Sequence, residues 1–96
     1  MGQMLAALCR FDLRIPGCTS LKEKRHVLKA LTASLRQKFN VAVAEVEHQD
    51  LWQRAALAVV TVSTDQAHAD RELAAAADEI ERVEPGLITR TEVEFL

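Results

Sequence analysis

Residues 41–62, VAVAEVEHQDLWQRAALAVVTV, contain two apolar runs joined by a short polar segment. Short apolar runs bounded by polar residues are typical of β-strands, so the segment predicts strands at 41–47 and 54–62. The second of these runs is apolar on both faces, which predicts a central strand that is covered on both sides. The connection between the runs is too short for a helix, so we expect the two strands to follow each other directly.

A strand and a helix are predicted on the N-terminal side of this pair. Residues 3–15 alternate between two faces, as a strand does, and Pro16-Gly17 then supplies the chemistry of a turn. Ser20, followed three residues later by Glu23, predicts a capping box at the start of a helix. Apolar residues at helical spacing continue this helix to about Phe39 and Asn40. Its predicted buried stripe comprises Val27, Leu28, Leu31 and Leu35.

A helix and then a strand are predicted on the C-terminal side of the pair. Ser63 and Gln66 offer a second capping box, and the helix that follows is expected to end near Val83. Pro85-Gly86 stops the helix, and residues 87–95 alternate as a final strand. The resulting β-α-β-β-α-β order predicts an α+β, ferredoxin-like sandwich with a four-stranded antiparallel sheet. Right-handed crossovers place strands one and three in the centre and both helices on one face.

Length and composition are those of one globular domain, expected to span residues 1–96. The chain has 96 residues, of which 49% are apolar and 27% charged. Its apolar runs are too short to span a bilayer, so no membrane association is expected. The two cysteines, Cys9 and Cys18, lack metal-ligand spacing and fit a reduced protein of the cytoplasm. Cys9 is expected to be a buried apolar residue.

The net charge of −2 hides an uneven distribution of charge. Residues 1–38 carry eight Lys or Arg and two acids, a balance of +6, whereas residues 65–96 carry three Arg and nine acids, a balance of −6. Such asymmetry predicts an electrostatic dipole that can orient a partner or favour head-to-tail self-association. The alternative interpretation is that two solvated helix faces happen to differ in sign.

Three stretches of the chain resemble one known family. They are SLKEKRHVLKAL at 20–31, FNVAVAEV at 39–46 and DLWQRAAL at 50–57, and together with LRIPG and VTVS they cover nearly the whole chain. The resemblance is to the YlxP-like family, domain-of-unknown-function family 503, although Ala42 and Ala58 stand where Ser and Gly are more usual. It implies a bacterial protein of ferredoxin-like fold, often encoded beside translation and ribosome-maturation factors, with no known activity.

A row of cations on the first helix is the main candidate site. Lys22, Arg25, Lys29 and Arg36 fall within about 60° of one another at the helical period and face away from the leucine stripe. Such a stripe could neutralise several RNA phosphates. The alternative is that these cations are only solvated. The predicted phosphate contacts, including neighbours expected to join from the first turn and the third strand, are Lys22, Lys24, Arg25, Lys29 and Arg54.

Trp52, in the connection between the two middle strands, is predicted to be an interface anchor, because Trp and Arg are common at interaction hot spots. It could instead cover one end of the core, and stacking on a base is a third possible role. Phe11 belongs to the more apolar face of the first strand and is expected in the core, so the sheet offers no aromatic pair for stacking bases. The other face of that strand, with Met4 and Leu8, is the candidate surface for a second subunit.

No motif predicts a metal site, a cofactor or catalysis. Strand alternation is expected to point Glu45 and Glu47 to one side and His48 to the other, so these residues do not form a metal site. The chain has three isolated glycines and therefore no phosphate-binding loop. We therefore predict a nonenzymatic accessory protein without a cofactor that forms a homo-oligomer, such as a dimer, and binds RNA or a ribosomal particle, without specificity for DNA. The alternatives are a protein-binding or self-assembling module and a sensor of a small ligand.

Overall fold

Four strands and two helices follow one another in the predicted order. The computed structural model describes residues 3–96. Two strands and a helix between them form the first half, and the second half repeats this order. The elements are β1 (Leu5–Arg14), α1 (Leu21–Lys38), β2 (Val41–Glu47), β3 (Arg54–Ser63), α2 (Gln66–Val83) and β4 (Ile88–Phe95). The ferredoxin-like fold is therefore confirmed.

The sheet has the strand order β2-β3-β1-β4, and all three neighbouring pairs are antiparallel. The predicted central position of β1 and β3 is confirmed. One sheet face carries the core, which both helices cover, and Phe11, Leu57 and Leu35 are each at most 1% exposed there. Cys9 is 1% exposed, so its prediction as a buried apolar residue is confirmed as well. No helix among residues 3–96 is long and apolar enough to cross a membrane.

The two helix starts differ from each other. Ser20 caps α1 by accepting a hydrogen bond from the Glu23 amide, as predicted, but the Glu23 carboxylate accepts from the amide and hydroxyl of Thr19 instead of closing the box on Ser20. The second predicted capping box is wrong. Asp65, not Ser63, caps α2, because its carboxylate accepts from the Ala67 amide.

A bulge in β2 separates two glutamates that strand alternation predicts to be on one side. Glu45 lies opposite Leu57, whereas Glu47 lies opposite Ala56, so the register shifts between them. Glu45 therefore points to the helix-covered face and Glu47 to the open face, and the expectation that they share a side is wrong. On the open face Glu47 meets Arg10, whose Nη2 lies 2.9 Å from the Glu47 carboxylate and 3.0 Å from that of Asp12.

The arginine of this network passes over β3, because β3 lies between β1 and β2. Ala56 and Ala58 form the surface beneath it, and Ala56 is fully buried although it faces away from the helices. The rest of this face is only partly covered, with Val60 half-buried and Val62 59% exposed. The prediction that β3 is covered on both sides is therefore wrong for the isolated chain, because the long guanidinium side chain covers only one end of the strand.

Candidate anion-binding surface

Three cations form one exposed face of α1, which we call the α1 basic face: Lys22, Arg25 and Lys29. All three side chains are exposed, and none forms a salt bridge with any acid among residues 3–96. Arg36 continues the row, but its guanidinium donates to the carbonyl of Val43 at 2.9 Å. The sequence correctly predicts the exposure of this face, because its members follow the helical period away from the leucine stripe.

Lys24 does not join this surface, so the expectation that it belongs to an exposed cluster is wrong. Its side chain is 2% exposed, and its ammonium donates hydrogen bonds to the carbonyls of His48 and Leu51. The Nζ atom of Lys24 also lies 2.8 Å from an oxygen of the Glu45 carboxylate. The two groups form an ion pair, but their geometry is not that of a hydrogen bond. The cause is angular, since Lys24 lies on the same side of the helix as Leu28, Leu31 and Leu35. Lys24 is thus unavailable to a ligand.

The buried lysine fixes the turn between β2 and β3. This turn begins at His48, whose φ of +64° is left-handed, and the Leu51 amide donates back to the His48 carbonyl at 3.0 Å. Gln53 then joins the turn to the β1–α1 loop, because its carbonyl accepts from the Ile15 amide and its side chain donates to the Cys18 carbonyl. Trp52 lies between these attachment points and is 52% exposed.

An open cleft of about 720 Å³ lies beside this turn. Trp52 and Arg54 both line it, so the structure brings together two of the predicted site residues. Arg14 lines the same cleft and lies directly opposite Arg54 in the β1–β3 register. Sequence reasoning missed Arg14, although the β1–β3 register, once known, places it beside Arg54. The α1 basic face lines two other grooves, with Lys22 in one and Arg25 and Lys29 in the other.

Two further cations, Lys38 and Arg82, form ion pairs with a single buried acid. The carboxylate of Glu79, on α2, is 6% exposed and accepts from Arg82 at 2.7 Å, from Lys38 at 3.1 Å and from the Ser34 hydroxyl. Its hydrogen bonds, first that from Arg82 and then that from Ser34, hold the pKa of this carboxyl well below its ordinary value. Lys38 and Ser34 belong to α1, so Glu79 also joins the two helices.

The described residues offer no assembled metal site. No group of three His, Cys, Asp or Glu side chains is placed to hold an ion within residues 3–96. Both cysteines are free and buried, and burial raises the pKa of the Cys9 thiol to about 11. A thiol with so high a pKa is a poor nucleophile near neutral pH.

Comparison with known proteins agrees with the resemblance seen in the sequence. A family model described as "Protein of unknown function (DUF503)" matches residues 6–93. The "Uncharacterized protein YlxP" of Bacillus subtilis (strain 168) is 41% identical over 79 residues, which are 76% of this chain and 82% of that protein.

Solved structures share the fold at low sequence identity. A dimeric protein of unknown function and ferredoxin-like fold from Bacteroides fragilis has a TM-score of 0.61 at 14% identity, covering 100% of this chain and 98% of that one. The de novo designed protein Foldit4 has a TM-score of 0.57 at 14% identity, covering 98% and 97%. A C-terminal segment of the alpha subunit of aIF2 from Pyrococcus abyssi has a TM-score of 0.54 at 19% identity, covering 98% of this chain and half of that one.

Proposed function

The chain belongs to the family of proteins of unknown function DUF503, and we propose that it is an accessory protein that binds RNA through the α1 basic face. The observation that carries this proposal is the contrast between two sets of cations. Lys24, Lys38, Arg10, Arg82 and Arg90 all form ion pairs within the fold. The α1 basic face forms none within residues 3–96, although the chain as a whole has an excess of acids.

A phosphate chain is the partner that suits this arrangement. Lysine and arginine side chains in a row along a helix follow a repeating anion better than a single small one. Arg54 and Trp52 lie at the end of the domain where α1 begins, because Lys24 attaches the β2–β3 turn to the first turn of that helix. We therefore propose Lys22, Arg25, Lys29 and Arg54 as phosphate contacts and Trp52 as the anchor.

The direct test is capture of RNA from the cells that encode the protein, at low and moderate salt. The tagged chain is compared with the variant Lys22→Gln/Arg25→Gln/Lys29→Gln and with Gln66→Glu/Ala67→Glu/Ala74→Glu on exposed positions of α2. Both variants change the net charge by −3, from −2 to −5. We expect ribosomal RNA to be recovered by the wild type and by the α2 variant only. Equal recovery by all three would contradict a contact at the α1 basic face.

Self-assembly is the second candidate function, and the edge strand β4 favours it. Arg90 and Glu92 lie on the open face of β4 and form an ion pair there. If β4 pairs with β4 of a second copy about Thr91, Arg90 of each copy lies opposite Glu92 of the other. Edge charges usually discourage pairing, but in this register they are complementary.

Apolar residues near the same edge support this second copy. Val93 and Phe95 follow on the other face of β4 and are 48% and 38% exposed, because the helices make few contacts with this strand. Pairing of two β4 strands would extend the sheet and shield part of these side chains from water. The B. fragilis neighbour is described as dimeric, and we propose a dimer for this chain on the evidence of its own β4 edge.

A further inference from the structure

Two arginines at the loop end of the sheet form a second candidate site for an anion, separate from the α1 basic face. Arg14 and Arg54 lie directly opposite each other in the antiparallel β1–β3 pair. The Arg14 amide donates to the Leu87 carbonyl just before β4, so it points away from β3, and the arginine pair occupies a non-hydrogen-bonded position. In such positions the two Cα atoms are about 4.5 Å apart and the side chains are closest. Like charges in this arrangement destabilise a sheet.

No acid within residues 3–96 neutralises this arginine pair by a salt bridge. Glu47 is near Arg54, but Arg10 is the main cause of the lowered pKa of its carboxyl, and Arg54 contributes least. Asp50 lines the same cleft and forms no salt bridge with either arginine. The pair therefore presents two positive charges to one cleft, an arrangement that a bound anion would stabilise.

Trp52 gives the cleft a second kind of surface. Its side chain is half exposed although it lies on a turn held by Lys24 and Gln53. An aromatic ring on a fixed backbone is a platform on which an unstacked base can lie, and every base has a face suited to it. The cleft volume of about 720 Å³ is within the range of small-molecule sites.

We propose that this cleft binds one nucleotide unit of a single-stranded RNA, with the phosphate between Arg14 and Arg54 and the base stacked on Trp52. The inference rests on the proposed RNA function and deepens it, because it assigns base contact to the loop end and backbone contact to the α1 basic face. An anion without a ring would use the arginines and leave Trp52 unused. By strand alternation Arg14 and Arg54 point to the open face of the sheet, because their neighbours Leu13 and Ala55 point to the core. In this proposal the RNA strand therefore passes from α1 around the end of the sheet where that helix begins, and inserts one base at the turn.

The experiment uses Trp52 as its own reporter, because it is the single tryptophan of the chain. Tryptophan fluorescence is followed while the protein is titrated with a single-stranded RNA of about eight nucleotides, within the usual site size for such strands. A parallel titration uses inorganic polyphosphate of similar charge. We expect RNA to quench the fluorescence to saturation and polyphosphate to compete for binding without comparable quenching.

The variant Arg14→Gln/Arg54→Gln tests the phosphate contact. It should weaken RNA binding by about tenfold and lower the slope of log affinity against log salt by about 0.7, since the two arginines share one phosphate and each phosphate of a single strand contributes about 0.7. Because the variant removes two like charges, its midpoint of urea unfolding should be unchanged or raised. Unfolding then does not explain the weaker RNA binding. The control Arg71→Gln/Gln66→Glu, on exposed positions of α2, makes the same change of −2 in net charge and should bind as the wild type does.

The outcomes separate this inference from the proposed function. If RNA binds and requires the α1 basic face, but Trp52 fluorescence does not change, the nucleotide cleft is overturned and the proposed function stands. Equal quenching by polyphosphate, or unchanged affinity of Arg14→Gln/Arg54→Gln, also overturns the cleft. If RNA does not bind by fluorescence or by labelled-strand anisotropy, both proposals are overturned.

Discussion

The Nζ atom of Lys24 lies 2.8 Å from the carbonyl oxygen of Leu51 and so joins the first turn of α1 to the β2–β3 turn. These two residues belong to two of the three stretches that carry the family resemblance, SLKEKRHVLKAL and DLWQRAAL. The lysine expected to join the binding surface from the first turn is thus a structural residue. Its role is to hold the turn on which Trp52 is exposed.

Substitution of this lysine should destabilise the fold strongly. Lys24→Met leaves two carbonyls and the Glu45 carboxylate without their cation, in a place that is nearly closed to water. We expect the free energy of unfolding in urea to fall by about 3 kcal/mol, as when one partner of a buried pair is removed. The matched control Lys22→Met, two residues away and exposed, should change it by no more than about 0.5 kcal/mol. Equal effects of the two variants would refute the assigned role of Lys24.

The carboxylate of Glu79 predicts acid sensitivity. Its folded-state pKa is lowered from the ordinary value of 4.5, so the unfolded chain takes up this proton first as the pH falls. The stability that Glu79 contributes is therefore fully present above about pH 4.5 and is lost progressively as the pH falls below this value towards the folded pKa. Glu79→Gln should be clearly less stable than the wild type at pH 7, with the difference shrinking by pH 3. Urea unfolding at several pH values measures this, and a difference that does not vary with pH would contradict it.

Ala56 is predicted to require a small side chain. It is fully buried on the open face, beneath the Arg10 bridge to Glu47. Ala56→Leu should displace this bridge and lower the free energy of unfolding by about 2 kcal/mol, because an extra side chain overpacks the site. Thermal unfolding measures the effect. Ala44→Leu, on an exposed position of the same sheet face, serves as control and should have little effect. If both variants melt alike, Arg10 does not cover Ala56 as described.

The β4 dimer predicts a charge-reversal pattern. Arg90→Glu places two acids opposite each other in the proposed register and should shift the protein to monomer. The double variant Arg90→Glu/Glu92→Arg restores opposite charges and should recover the dimer. Sedimentation velocity of the wild type and both variants distinguishes these states. A wild type that stays monomeric at every concentration, or a dimer insensitive to Arg90→Glu, would exclude this interface.

Most of the fold could be predicted from local patterns in the sequence. Alternation in residues 3–15, the apolar stripe of α1 and the two Pro-Gly turns act over a few residues, and Gly17 and Gly86 adopt the positive φ that such turns require. The errors arose where distant residues decide. The bulge at Glu45 and Glu47 depends on pairing with β3. The start of α2 is an exception that is decided locally, because the Ser63 hydroxyl accepts from the Asp65 amide and the Asp65 carboxylate then accepts from the Ala67 amide.

The candidate site was predicted less completely for the same reason. Helical spacing was sufficient to find Lys22, Arg25 and Lys29, because all three lie on one element. Arg14 could not be found until the β1–β3 register was known, since 40 positions separate it from Arg54 in the chain. Charge alone could not distinguish Lys24 from its neighbours, although its place on the side of α1 that carries Leu28, Leu31 and Leu35 indicates burial. Its partners, two carbonyls of a turn and the Glu45 carboxylate, are distant in the chain and meet it only in the fold.

If the α1 basic face binds RNA phosphates, the RNA affinity must depend on salt in proportion to the number of its contacts. Anisotropy of a labelled single-stranded RNA is measured over a salt series for the wild type, for Lys22→Gln/Arg25→Gln/Lys29→Gln and for the charge-matched α2 variant. We expect the α1 variant to bind more weakly, with a slope of log affinity against log salt that is lower by about 2, three contacts at about 0.7 each. The α2 variant should keep the wild-type slope. Parallel slopes for all three proteins, or no binding by the wild type at low salt, would contradict RNA binding at the α1 basic face.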